Sequence, residues 1–249
     1  MSSSGSKTPL PSDARRPFAT TRWSVVLAAG HDRSPGGRQA LVALCETYWQ
    51  PLYAFVRRRG YGADEAQGLV QEFFARLLEK ESVAAADPAR GKFRSFLLSS
   101  LNHFLANEWR RERAQKRGGE RPILSLDFQH GESSLAIEPA HDLTPEKLFE
   151  RRWALTLLTQ ALARLRDEYA ASGKLPLLER LQPYLAGDRD AAPYLELARE
   201  LGMSDGAVKV AVHRLRRRCR DILRDEIAQT VAGPEEVDEE LRDLFEALG

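Results

Sequence analysis

The sequence predicts an all-α protein: two helical domains joined by a flexible linker, the C-terminal one a helix-turn-helix. Three observations carry this. Apolar residues recur at spacings of three and four, nothing strand-like alternates over any length, and glycine and proline collect at few places. Of 249 residues, 43% are hydrophobic and 29% charged, enough for a packed core with much charge left for water. The expected divisions are a disordered segment 1–18, a helical domain 19–115, a linker 116–143, a second domain 144–232 and an acidic tail 233–249.

Structure is expected from near Trp23. In a first helix, Arg38 to Arg58, the residues Leu41, Leu44, Cys45, Tyr48, Leu52 and Phe55 describe one face. Arg57-Arg58-Arg59-Gly60 ends it with cations beside the carbonyl end and a glycine after it. A second helix opens at Asp64-Glu65 and carries the stripe Ala66, Leu69, Val70, Phe73, Phe74, Leu77 and Leu78. After a break at Asp87 to Gly91, a third carries Phe93, Phe96, Leu97, Leu101, Phe104, Leu105 and Trp109. Helical periodicity then fails, because Gly118-Gly119, Pro122, Gly131 and Pro139 punctuate short apolar pieces; this is the linker.

Thr144-Pro145-Glu146 supplies an N-cap, a first-turn proline and a first-turn acid for a helix to about Tyr169, with Leu158, Leu162, Leu165 and Tyr169 on one face. A short helical piece, Lys174 to Leu185, is interrupted at Pro183, and Gly187 to Asp190 is a loop. Pro193 to Leu201 and Asp205 to about Val231 are two more helices, joined by Gly202-Met203-Ser204.

The overall charge is +1, from 37 Lys+Arg and 36 Asp+Glu, but it is unevenly spread. Between 209 and 224, Lys209, Arg214, Arg216, Arg217, Arg218, Arg220 and Arg224 face only Asp221. A glycine joint with Ser204 as N-cap sets two helices at a steep angle, as a helix presented to a DNA groove requires, and phosphates are natural counter-ions for the cations. Ser204, Asp205, Lys209, His213, Arg214, Arg216 and Arg217 are the duplex-binding candidates. A solvated basic helix docking on an acidic protein is the plainer alternative.

A second basic zone closes the third helix, where Arg110, Arg111, Arg113, Lys116, Arg117 and Arg121 outnumber Glu108, Glu112 and Glu120. Rings interleave with cations there, the combination that holds single-stranded nucleic acid. Phe104 and Trp109, at helical spacing, read as core. Arg94, Asn102, His103, Asn107, Arg110, Arg111 and Arg113 are the single-strand candidates.

Asp64 to Leu78 followed by Gly91-Lys-Phe-Arg-Ser-Phe-Leu resembles region 2 of a sigma factor of bacterial RNA polymerase, of the compact extracytoplasmic-function type. Tyr194 to Arg217 resembles the helix-turn-helix of sigma region 4. The resemblance covers roughly 20–115 and 145–230. It implies promoter recognition and melting with core RNA polymerase and promoter DNA as partners, and leaves room for an anti-sigma factor. In such factors the Asp64-to-Leu78 helix docks on a coiled coil of the polymerase, which implies a polymerase-binding role for Leu69, Gln71, Glu72 and Arg76. The third helix would take the melted minus-ten strand and region 4 the minus-thirty-five duplex. The chain departs from the family at Gln67-Gly68, where Glu-Asp is usual, and at Ala207-Val-Lys-Val-Ala211, where Thr-Val-Lys-Ser-Arg is common. The helices between about Trp153 and Leu185 are longer than a compact factor requires.

The tail sets seven acids against Arg242 and spaces Leu241, Leu244, Phe245 and Leu248 helically. It is expected to rest on the preceding domain, and opposite charge suggests partial masking of the basic recognition helix. A stand-alone helix-turn-helix regulator with an N-terminal sensor or dimerisation domain is the alternative reading.

Enzymatic chemistry has no signature: Gly91-Lys92 precedes Phe93 rather than Ser or Thr, and Ala86 stands where a phosphate loop needs glycine. Scattered histidines and two distant cysteines, Cys45 and Cys219, imply no metal, cofactor or disulfide. Neither a membrane-spanning run nor a signal-peptide core is apparent, so a cytoplasmic location and no small-molecule substrate are expected.

Overall fold

A computed structural model describes residues 35–79, 92–114, 143–185, 193–228, 230–231 and 233–249. The expected disordered start, the Asp87–Gly91 break, the Gly187–Asp190 loop and the linker up to residue 142 lie outside these, as do the side chains of Leu41, Leu44, Leu78 and Arg113. The described residues form α1 (Pro35–Arg58), α2 (Ala63–Glu79), α3 (Phe93–Ala114), α4 (Pro145–Ala171), α5 (Leu175–Leu181) with a 3-10 turn at Gln182–Tyr184, α6 (Tyr194–Leu201), α7 (Asp205–Ala228) and α8 (Pro234–Leu248). The all-α class holds among them.

The helix ends follow local chemistry. Arg57 and Arg58 occupy the last turn of α1 and Gly60, at φ 96°, follows it. Thr144 caps α4, its Oγ1 accepting from the Lys147 amide at 3.3 Å, with Pro145 in the first turn. α7 stops at Ala228, short of the expected Val231, and Pro234 starts α8.

α4 is the centre of the packing. It lies most extensively on α1 and also against α7 and α8. Tyr48, Leu52 and Phe55 of α1 and Phe149, Trp153, Leu157 and Ala161 of α4 are fully buried in one continuous core, which extends to Val212, Leu215 and Ile222 of α7 and Leu244 of α8. Of the expected Leu158/Leu162/Leu165/Tyr169 face only Leu165 is fully buried and the other three are partly buried, so the buried side of α4 is turned away from it. A helix covered on more than one side has no single apolar stripe for periodicity to find. Polar ties cross the same junction: Gln160 Nε2 donates to Thr47 Oγ1 at 3.2 Å, Arg58 Nε to the Leu143 carbonyl at 2.8 Å, and the Phe93 amide to the Thr230 carbonyl at 3.4 Å.

α8 keeps the expected amphipathic form, burying Val237, Leu241 and Leu244, yet it turns Phe245 outward and Glu240 inward. Arg94 explains the exchange, as described below.

Candidate nucleic-acid interface

Two outward helical faces carry the candidate residues. The first belongs to α2 and α3. Phe73 of α2 packs its ring 5.8 Å from Phe104 of α3, while Leu97, Leu101 and Leu105 seal the inner side of α3. Turned to water are His103, Asn107, Arg110 and Arg111, with Asn102 partly exposed beside them. Trp109, expected in the core, is 52% exposed and shares this side. Arg110 Nη1 donates to Asn107 Oδ1 at 3.3 Å.

Arg59 joins this face, which its sequence position hides among three consecutive arginines. Arg57 and Arg58 donate to the carbonyls of Tyr61 and Leu143, whereas Arg59 reaches Asn102 Oδ1 at 2.6 Å and lies over the Phe55 ring. Only the contacts separate the cap residues from the exposed cation.

Where α2 meets α3, Arg76 bonds Glu72 at 2.5 Å and Glu108 at 2.8 Å and lies over the Phe104 ring. Arg111 approaches Glu108 at 3.5 Å and Glu72 at 4.0 Å. Glu72 and Arg76 are thus part-buried members of a four-residue network, and Gln71 is half-buried beside them. Leu69, expected at a docking surface, is buried in the α2 stripe, and an apolar side chain packed there offers nothing to a partner.

Arg94 also departs from expectation. It is 6% exposed, donates through Nε and Nη2 to both oxygens of Glu240 at 2.6 and 2.9 Å, pairs with Asp243 and Glu150, and stacks over the Trp153 ring at 4.6 Å. Glu240 is itself 1% exposed. A buried cation needs paired acids and satisfied hydrogen bonds, and the tail supplies them. Neighbouring Lys92 bonds Asp243 at 2.5 Å and Glu240 at 3.0 Å. Burial disfavours the charges of Lys92 and Arg94, but their acidic partners outweigh it and hold both pKa values above the ordinary ones. Asp243, despite burial, is held below its own by Lys92 and Arg94. The tail therefore grips the N-terminal end of α3 and, as expected, also packs on the preceding helices α4 and α7, where Asp238 pairs with Arg224. Of the cations of the basic helix the tail takes Arg224, while Lys209, His213, Arg214 and Arg217 in its first half are exposed.

The second face is built by α6 and α7. Gly202 ends α6 at φ 61°, ψ 31°, and its amide reaches back to Ala198 and Arg199. An L side chain is strained in that conformation, so glycine is what permits so short a joint. Ser204 Oγ then accepts from the Ala207 amide at 3.2 Å, capping α7. Val208, Val212, Leu215, Cys219 and Ile222 face inward.

The α7 cations divide by contact. Arg218 makes two bonds to Glu168, at 2.7 and 2.6 Å, and this pairing holds the Glu168 carboxyl below its ordinary pKa. Arg224 takes Asp238, and Arg216, though exposed, gives Nε and Nη2 to the Tyr184 carbonyl at 2.9 and 2.6 Å. These three secure α7 to α4, α8 and the 3-10 turn. Lys209 pairs with Asp205, one turn away at 2.7 Å, and His213, Arg214, Arg217 and Arg220 point to water. That remainder is a cationic surface suited to phosphates.

Among the described residues, no group of three or more His, Cys, Asp or Glu is placed to hold a metal, and no helix is long and apolar enough to cross a membrane. Cys45 and Cys219 are buried thiols, and burial pushes Cys45 up to about 12.

Residues 44–115 match the family model Sigma-70 region 2. This span runs from the second half of α1 through α3. The match makes this part of the chain similar to region 2 of sigma-70 factors and supports a role in transcription initiation. Neither the curated proteins nor the solved structures contain a match to the chain.

Proposed function

We propose, from the premise that residues 44–115 match sigma-70 region 2, that the chain is a sigma factor of the extracytoplasmic-function type acting in the cytoplasm. It binds core RNA polymerase and directs promoter recognition and melting. The match is the observation that carries the reading. In this reading α2 docks on the polymerase through Gln71 and the neighbouring Glu72–Arg76 pair. The outer side of α3 takes the melted minus-ten strand, with Asn102, His103, Asn107 and Arg110 for polar contact and Trp109 for stacking on an unpaired base. Arg59 adds a cation to that track.

α6 and α7 serve as region 4 and read duplex DNA. Lys209, His213, Arg214 and Arg217 meet the groove, Ser204 and Asp205 sit at its entrance, and Arg216 braces the helix. Arg214 and Arg217, exposed and without an acid beside them among the described residues, support that assignment. An anti-sigma factor is a further candidate partner.

Size-exclusion chromatography of the purified chain with bacterial core RNA polymerase at moderate salt tests the proposal. Stoichiometric co-elution is expected. No complex, together with a dimer that binds duplex DNA unaided, would replace it with a stand-alone helix-turn-helix regulator.

A further inference from the structure

At about 100° per residue, the line of α7 diametrically opposite its buried stripe passes through Gly206, Val210, His213 and Arg217. Two of these four are poor choices for an exposed helical surface. Val210 is 49% exposed, so its branched side chain contributes little burial while restricting its own rotamers. Gly206 is a helical glycine whose missing Cβ would meet nothing within 4 Å, so no packing among the described residues calls for it. Glycine there lowers helix stability relative to alanine. One turn apart on the outermost line, they form a shallow apolar notch bounded by Val210, with Lys209 on one side and Arg214 on the other.

The surrounding cations select a polyanion, and in a major groove the base edges present one apolar group, the C5-methyl of thymine. We propose that Val210, at the notch left open by Gly206, packs against a thymine methyl and makes the chain selective for a thymine beneath the first turns of α7. The proposal rests on the reading of α7 as the duplex-binding helix and adds a base preference to it.

The test begins with selection of duplexes from a random pool by the full-length chain bound to core polymerase. Fluorescence anisotropy on the selected duplex follows, each thymine being replaced in turn by deoxyuridine, which removes only the methyl group. One position is expected to lose about four-fold in affinity, the factor that one buried methyl supports. Val210→Ala should lose a similar factor on the thymine duplex and no longer distinguish it from the deoxyuridine one. Gly206→Ala should raise thermal stability yet weaken binding, opposite signs that a purely structural role would not produce. Uniform tolerance of deoxyuridine, or discrimination retained in Val210→Ala, would overturn the proposal while leaving duplex binding by α7 intact. If no duplex is enriched and binding is insensitive to the α7 cations, the proposal falls together with the reading beneath it.

Discussion

Arg94 shows at the scale of one residue how tertiary contacts reassign a side chain. In sequence it is a cation among rings and reads as a nucleic-acid contact; in the fold it is a buried ion-pair hub for α3, α4 and α8. Glu240 is the most buried of the three acids on Arg94 and takes two of its hydrogen bonds, so Glu240→Gln should destabilise the chain by about 1–3 kcal/mol in urea unfolding. The double change Arg94→Met, Glu240→Leu should recover much of that loss, because it removes both of the most deeply buried charges of the cluster. pH acts through the same groups. Asp243 and Glu168 titrate below their ordinary values of 3.8 and 4.5, so their contribution is present above that range and drains away as pH falls through the depressed values. Lys92 has the opposite sign: its contribution is complete below 10.5 and lost only as pH rises beyond that. Unfolding midpoints measured from pH 6 down to 3 should fall less steeply in Asp243→Asn than in the unaltered chain.

Individual helices show which sequence signals are dependable. The joint between α6 and α7 is legible because each requirement is local: a left-handed residue at Gly202, a hydroxyl at Ser204, apolar residues repeating along α7. Gly202→Ala should cost about 1–2 kcal/mol through its left-handed backbone, and Ser204→Ala about 1 kcal/mol through the lost cap, both readable by thermal unfolding. The cations of α7 are legible as a group but not one by one, since Arg214 and Arg216 look alike in sequence and only the second is tied to Tyr184. Replacing Arg214 and Arg217 with alanine should reduce the slope of log affinity against log salt by about 2 without affecting stability. Replacing Arg216 should register in stability as well. Gln71→Ala with Glu72→Ala should weaken polymerase binding and leave duplex binding unaltered; a common defect in both sets of variants would undo the division of labour between α2 and α7.

Across the whole molecule, the shared core is the dominant fact. α1 and α4, from opposite sides of residues 115–142, bury their largest side chains together, and α8 adds the Arg94 pairing where α3 and α4 meet. Packing of this kind couples the helices energetically, so tryptophan fluorescence and far-UV circular dichroism should report one coincident unfolding transition. Two separated transitions would mean that the parts fold independently. Deleting 233–249 exposes apolar surface and leaves Lys92 and Arg94 without their tail acids, and should lower the unfolding midpoint markedly.

The sequence by itself determined the helical class, the helix order, the glycine joint and the existence of two basic faces, because periodicity, capping and charge density are properties of short stretches of chain. Tertiary structure alone decided which cations are spent inside the protein, that Trp109 faces water, and that α4 is covered by several neighbours. The physical reason is that a side chain's environment depends on what arrives from distant sequence. Glu240 lies 146 positions from Arg94, and no local pattern encodes their meeting.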